Sequence, residues 1–435
     1  MSNNDTSTMS EQNNEKPALV PRLRFPEFRE AGDWEVKELS EFLTEAKQRN
    51  RDLKYTPQDV LSVSGELGCV NQIEHMGRSY AGASVKEYRV VETGDLVYTK
   101  SPLKKYPFGI FKENKGKTGI VSPLYAIYRP KDGAHSAYFD HYFSLDHRLN
   151  AYLQPLIKKG AKNSMTVNNS VVLSGNVITP KLDEQQRIAD CLTSLDSRIA
   201  VETDKLDALR THKKGLMQRL FPREGETIPR LRFPDFKDAG EWQRRKVSNL
   251  LVRSVSPVNV DAEEAYQEIG IRSHGNGIFH KELVYGKALG DKRVFWVEVG
   301  AFVVNIVFAW EQAVAVTSEA ERGMIASHRF PMYKAKDGAS DVNFIKYFFL
   351  TKEGKELLGI ASPGGAGRNR TLGQKEFENL EFLVPLKIEE QTEVARCLSS
   401  IDELIATQSK KVDALRIHKK SLMQRLFPVV VEVQV

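Results

Sequence analysis

Two stretches of the chain carry apolar side chains at alternating three- and four-residue spacings, the period of a narrow stripe along a helix. The first runs through Ile188, Leu192, Leu195, Ile199, Leu206, Leu209, Leu216 and Leu220, the second through Val394, Leu398, Ile401, Ile405, Val412, Leu415, Leu422 and Leu426. Polar residues break both seams at matching places, Glu202 and Lys213 in the first, Gln408 and Lys419 in the second. From Ile188 to Leu220 a straight helix runs roughly 48 Å, too long for one small domain to cover its stripe. The spacing predicts two long helices that pair antiparallel as a coiled coil, with the polar breaks fixing register. A helix folded back on its own domain is the alternative.

Ahead of each helix the pattern is mixed. Val90 to Tyr98 and Val297 to Val304 each hold a turn glycine, Gly94 or Gly300, followed by a β-rich run, which predicts strands. Aromatic residues at helical spacing from Ala137 to Leu153 and from Asn343 to Leu358 predict a helix packed on a small sheet. The fold class is α/β in the α+β sense.

These parallels belong to a duplication. Pro21-Arg-Leu-Arg-Phe-Pro26 recurs as Pro229 to Pro234, and Ala31-Gly32 with Trp34 recurs as Ala239-Gly240 with Trp242. His212-Lys-Lys214 and Leu216-Met-Gln-Arg-Leu-Phe-Pro222 recur as His418 to Lys420 and Leu422 to Pro428. Lys131-Asp-Gly-Ala134 with Phe139 matches Lys336-Asp-Gly-Ala339 with Phe344. A period of about 206 residues, as from His212 to His418, is far too long for a solenoid, so each copy is a domain with its attachments. The segmentation is a disordered leader at 1–20, a first domain at 21–180, a helix at 181–222, a second domain at 223–386, a helix at 387–428 and a tail at 429–435.

A length of 435 residues, 41% of them hydrophobic and 28% charged, suits two or more globular domains. The net charge of +6 suits a polyanionic partner. Three cysteines, Cys69, Cys191 and Cys397, are too few for a disulfide framework, which fits a reducing cytoplasm. Cys191 and Cys397 hold equivalent helical positions as small packing residues. The most apolar stretch, Ala301 to Trp310, is about half the length needed to span a bilayer and contains Asn305, so no membrane role is expected.

Motifs for bond chemistry fail on spacing. Gly116-Lys117-Thr118 lacks the glycine that a phosphate-binding loop needs five residues earlier, where Phe111 stands. Glu27, Glu35 and Lys37 loosely resemble the acidic and lysine pattern of metal-dependent nucleases, but the second copy has Gln243-Arg-Arg at the corresponding place. The nine histidines form no zinc-binding spacing. No metal, catalytic or cofactor-binding residue is assigned.

Two variable α/β units, each followed by a closely similar long helix, resemble the specificity subunits of type I restriction-modification systems. The residues carrying the resemblance are Leu-Arg-Phe-Pro-(Glu/Asp)-Phe before a Trp, Pro180-Lys-Leu-Asp-Glu-Gln185 and Pro385-Leu-Lys-Ile-Glu-Glu-Gln391, and Lys-Lys-x-Leu-Met-Gln-Arg-Leu-Phe-Pro after each helix. The resemblance implies two tandem target recognition domains, each reading one half of a bipartite, asymmetric site in double-stranded DNA. It implies paired helices that set the spacing and dock two methyltransferase subunits, with restriction-translocase subunits joining them. This chain would then be non-catalytic and bind no cofactor, with S-adenosylmethionine, ATP and Mg held by the partners. A coiled-coil scaffold or regulator without sequence reading is the alternative.

On that expectation, candidate DNA contacts combine Lys and Arg for phosphates with side chains able to hydrogen-bond to base edges. In the first unit they are Thr99, Lys100, Ser101, Lys104, Lys105 and Tyr106, with Lys159, Lys162, Asn163, Ser164 and Thr166. In the second they are Asn305, Arg368, Asn369, Arg370 and Thr371.

Overall fold

The computed structural model describes residues 19–65, 67–82, 84–100, 105–159, 165–166, 168–364 and 370–428. The chain forms two compact units that cut across the linear segmentation. One comprises the residues up to Val201 together with those from Val412 onward, and the other runs from Glu202 to Lys411.

In the first unit the apolar runs predicted around Gly94 form strands Arg89–Val91 and Leu96–Thr99, with the glycine at φ +87° in the turn between them. Leu96–Thr99 lies inside a four-stranded antiparallel sheet in the order Leu43–Glu45, Ala126–Pro130, Leu96–Thr99, Ile110–Glu113. The expected single helix is two, Ser136–Phe143 and Asp146–Leu153. The break falls at Leu145, whose backbone is extended at ψ 115°. Phe111, Phe139, Phe143, Tyr98 and Tyr128, all buried, fill the space between these helices and the sheet. Strand Glu35–Glu38 pairs antiparallel with Asn176–Thr179, closing the domain where the long helix begins.

The second unit repeats this frame. Its sheet runs Leu251–Ser254, Met332–Ala335, Phe302–Val304, Val314–Val316, backed by helices Val342–Phe349 and Lys352–Ile360. The second helix starts at a sharp break because the Thr351 side chain accepts from the Gly354 amide. Strands Gln243–Lys246 and Glu381–Val384 close the domain. A further four-stranded sheet, Ile278–Tyr285, Ala265–Ile271, Ile325–Ser327, Val294–Trp296, is more extended than the corresponding part of the first unit, where two separate two-stranded pairs stand.

The repeated motifs meet in one clamp per unit. In the first, Arg24 donates through Nε and Nη2 to the two oxygens of Glu184 at 2.8 and 2.7 Å and through Nη1 to the Gly32 carbonyl, while the Trp34 indole donates to Glu184 at 3.3 Å. In the second, Arg232 holds Glu390 at 2.8 Å through both nitrogens and reaches the Gly240 carbonyl, with the Trp242 indole 3.1 Å from Glu390. The next residue works on the other side of the helix start. Gln185 accepts from the His135 amide and donates to Pro180 and Gly133, and Gln391 accepts from Asp341 and donates to Pro385 and Ala339. The Glu-Gln pair thus ties each helix to both ends of its domain.

The two long helices, Leu182–Leu220 and Ile388–Leu426, each span 39 residues. Their pairing is antiparallel within each unit. In the second unit the Gln408 amide donates to the Glu202 carboxylate at 2.7 Å, Lys411 reaches the same carboxylate, and Lys213 pairs with Asp402 at 2.6 Å. In the first, Lys419 pairs with Asp196. All four polar interruptions of the seams are therefore engaged with the opposing helix. The apolar positions divide their contacts: Ile188 and Leu192 pack into the first domain's core, where the end of the second helix also arrives through Met423, Leu426 and Phe427. Phe427 lies against Trp34, Tyr138 and Tyr142, and Phe221 against Trp242, Phe344 and Phe348. The antiparallel pair and the helix folded on its own domain, opposed in sequence, are both present.

Beside each Lys–Asp pair the domain contributes a different titratable residue. His141 bonds Thr193 at 3.2 Å, and Tyr347 bonds Ser399 at 3.1 Å and Asp402 at 2.7 Å with Lys346 over its ring at 4.0 Å. Burial pushes the His141 imidazole down to about 4 and the Lys346 amine down to about 8.

The clamp and the buried histidine each have a measurable consequence. Arg24→Ala leaves the buried Glu184 carboxylate without its cation and should cost about 3–5 kcal/mol in unfolding free energy, read by denaturant titration. Between about pH 6.5, where an unfolded histidine titrates, and about 4, the unfolded chain binds a proton that the folded His141 does not. Stability should therefore fall as pH falls through that window, and His141→Gln should flatten this slope.

Candidate nucleic-acid interface

In the second unit the central strand Phe302–Val304 runs out into a loop at one end of the sheet. Asn305 is 8% exposed, and its Oδ1 accepts from the Val307 amide at 3.1 Å, so this side chain shapes the loop that follows. The Phe308 amide donates to the Asn305 carbonyl, the Trp310 indole to the Val307 carbonyl at 3.2 Å, and Gln312, at φ 57°, closes the turn. The Gln312 side chain donates to the Phe349 and Thr351 carbonyls, which bolts the loop to the helical layer.

Backbone bonds bring distant residues to the same edge. The Ile306 amide donates to Arg329, its carbonyl accepts from Leu372, and the His328 amide donates to Arg293. Arg370 lies over the Trp310 ring at 5.8 Å. Asn305, Arg370 and Thr371 are thus joined by Arg293, His328 and Arg329, all exposed apart from Asn305. None of these three arginines takes part in an ion pair among the described residues. Arg293, His328 and Arg329 escaped the sequence reasoning because Arg293 precedes one strand and His328 follows its antiparallel partner, in which Val294 faces Ser327. Pairing those two strands in advance would have found them. Arg368 and Asn369 lie outside the described residues.

In the first unit Thr99 ends the equivalent strand, opposite Ile110, and is buried, while Lys100 is exposed. Partial burial and the nearby Arg89 lower the Lys100 amine, with Glu45 opposing them. Glu45 accepts from Arg89 at 2.9 Å and from Asn169 at 2.7 Å, which draws the segment just after the second candidate loop toward the first. The Lys105 carbonyl accepts from Asn150, and the Tyr106 hydroxyl donates to the Ser144 carbonyl at 3.0 Å. Lys159 and Thr166 fall on a short antiparallel pair, opposite Met165 and Lys158. Ser101, Lys104, Lys162, Asn163 and Ser164 lie outside the described residues.

The motifs without bond chemistry have local explanations. Asn114 holds the Gly116–Lys117 turn by accepting from the Gly116 amide and donating to the Lys117 carbonyl. Glu35 and Lys37 pair with each other at 2.6 Å on an exposed strand. Among the described residues no group of three His, Cys, Asp or Glu is placed to hold a metal ion, and no helix is long and apolar enough to cross a membrane.

The comparisons with known proteins agree with the frame just described. No protein-family model matches the chain. A Methanocaldococcus jannaschii protein assigned as the type I restriction enzyme MjaX specificity subunit is 22% identical over 427 residues, covering 91% of this chain and 92% of its own. The crystal structure of the type I restriction-modification S subunit from M. genitalium superposes with a TM-score of 0.59 at 11% identity, covering 95% of this chain and all of that one. The HsdS subunit from Thermoanaerobacter tengcongensis covers 91% of this chain at 13% identity, and its TM-score of 0.40 adds nothing to the fold argument. Over nearly its whole length the chain is similar to type I restriction-modification specificity subunits. Its two tandem α/β units and long helices are those of that fold.

Proposed function

We propose that this chain supplies DNA sequence reading to a type I restriction-modification complex, each unit reading one half of a bipartite, asymmetric site. The observation that carries the proposal is one scaffold, used twice, with different side chains at the same end of its sheet. Thr99 and Lys100 stand where Asn305 and Ile306 stand in the second copy. Two different surfaces on equivalent frames match two unlike half-sites, as a repeated surface would match a palindrome. The cluster of Arg293, Arg329 and Arg370 suits phosphate contact, which positions a duplex without specifying its sequence.

The long helices set the distance between half-sites and carry the surface on which two methyltransferase subunits dock, with restriction-translocase subunits completing the complex. S-adenosylmethionine, ATP and Mg belong to those partners, and this chain acts in the cytoplasm as the non-catalytic member.

The combined variant Arg293→Ala, Arg329→Ala and Arg370→Ala, assembled with its partners, should bind all DNA sequences more weakly. For every arginine that neutralises a phosphate, its replacement should reduce the slope of log K against log salt by about 0.9. Equilibrium binding across a salt series measures this, and an unchanged affinity and slope would remove the cluster from the interface.

A further inference from the structure

Phe308 is 38% exposed and stands on a loop whose backbone is pinned on both sides. Its amide donates to Asn305, its carbonyl accepts from Ala313, and the residues around it are fixed by Asn305 Oδ1, the Trp310 indole and the Gln312 side chain. The loop presents a large apolar ring to solvent in a fixed position, at the cost of leaving it uncovered.

The surroundings of the ring are selective about what covers it. Ile306, two residues before, is bonded to the backbones of Arg329 and Leu372, and Trp310, two residues after, lies under Arg370. Glu311, the acidic residue of the loop, is engaged by the Ser273 hydroxyl at 2.8 Å. A partner that carries closely spaced anions beside flat apolar rings meets guanidinium groups and an aromatic face together. A nucleic-acid duplex carries phosphates and base stacks in that relation. Phenylalanine has no group to hydrogen-bond a base edge, so it meets bases through apolar contact, and a ring held out on a pinned loop is placed to enter between them.

We propose that Phe308 is an aromatic wedge that enters a base step in the half-site contacted by the second unit, unstacking it while the flanking arginines hold the phosphates. The proposal rests on the DNA-reading function stated above. Separating two stacked bases costs least at pyrimidine–purine steps, so a wedge contributes sequence preference with no base-edge hydrogen bond. The half-site of the second unit should therefore contain such a step at a fixed place.

The test uses the complex assembled with its methyltransferase partners and duplexes carrying 2-aminopurine at successive positions of the half-site, away from the methylated adenine. With the unsubstituted chain, fluorescence should rise on binding at one step. Phe308→Ala should abolish that rise and weaken specific binding roughly tenfold or more, with the salt slope unchanged, whereas Phe308→Trp should keep the rise. A rise that persists in Phe308→Ala, or no rise anywhere in a half-site that is bound with sequence preference, overturns the wedge and leaves DNA reading intact. Absence of sequence preference in the unsubstituted complex overturns both. If Phe308→Ala and Phe308→Leu instead prevent assembly with the methyltransferase in the absence of DNA, judged by gel filtration, the ring is covered by protein and the proposal fails.

Discussion

The arrangement depends on the buried clamp at the start of each long helix. An arginine and a tryptophan from the segment that opens each domain converge on one glutamate of the helix that leaves it, and a glycine carbonyl of the same segment holds the arginine from its other side. Arg24 and Glu184 keep 7% and 3% of their side-chain surface exposed, and Arg232 and Glu390 keep 7% and 1%, so neither charge is tolerable without the other. Because the adjacent glutamine grips the far side of the domain, the direction of the helix is set by hydrogen bonds with defined geometry. Apolar packing alone would leave it free to rotate by small amounts. The orientation of each α/β domain on its helix is thereby fixed by directed bonds.

The polar breaks in the helical seams perform the complementary task. Glu202 with Gln408, Lys213 with Asp402 and Lys419 with Asp196 are satisfied in one register, and a shift by a turn would separate all three pairs. Since Lys213 and Lys419 are equivalent residues of the repeat, as are Asp196 and Asp402, duplication of one Asp/Lys pattern generates both ion pairs when the helices run antiparallel. Next to these pairs the copies differ, with a histidine, His141, in one and a lysine, Lys346, in the other, both lowered mainly by burial.

Much of this was legible in the sequence. The long helices showed because a stripe sustained through eight apolar positions admits little else, and the duplication showed because its ends match letter for letter. The clamp was visible as motifs but not as a contact, since Arg24 and Glu184 lie 160 residues apart. The destination of Phe427 is a matter of topology, because a Leu-Phe-Pro ending does not say which core it enters. The break between the paired short helices was hidden by aromatic residues that keep helical spacing across it. At the candidate interface, composition singles out individual loops as candidates, whereas the edge joining Arg293, His328 and Arg329 to Arg370 is assembled by strand pairing and backbone bonds. Asn305, chosen for its hydrogen-bonding side chain, spends its oxygen on the loop itself.

If two unlike units built on one repeated frame read DNA as proposed, the site they read is split and asymmetric. Genome-wide mapping of methylated adenines in strains with and without this chain decides the point. One methylation motif should disappear with the chain, and this motif should have two unequal specified parts separated by a fixed number of unspecified base pairs. A methylome unchanged by deletion in a strain that expresses the whole system, or a lost motif that is continuous or palindromic, would contradict it.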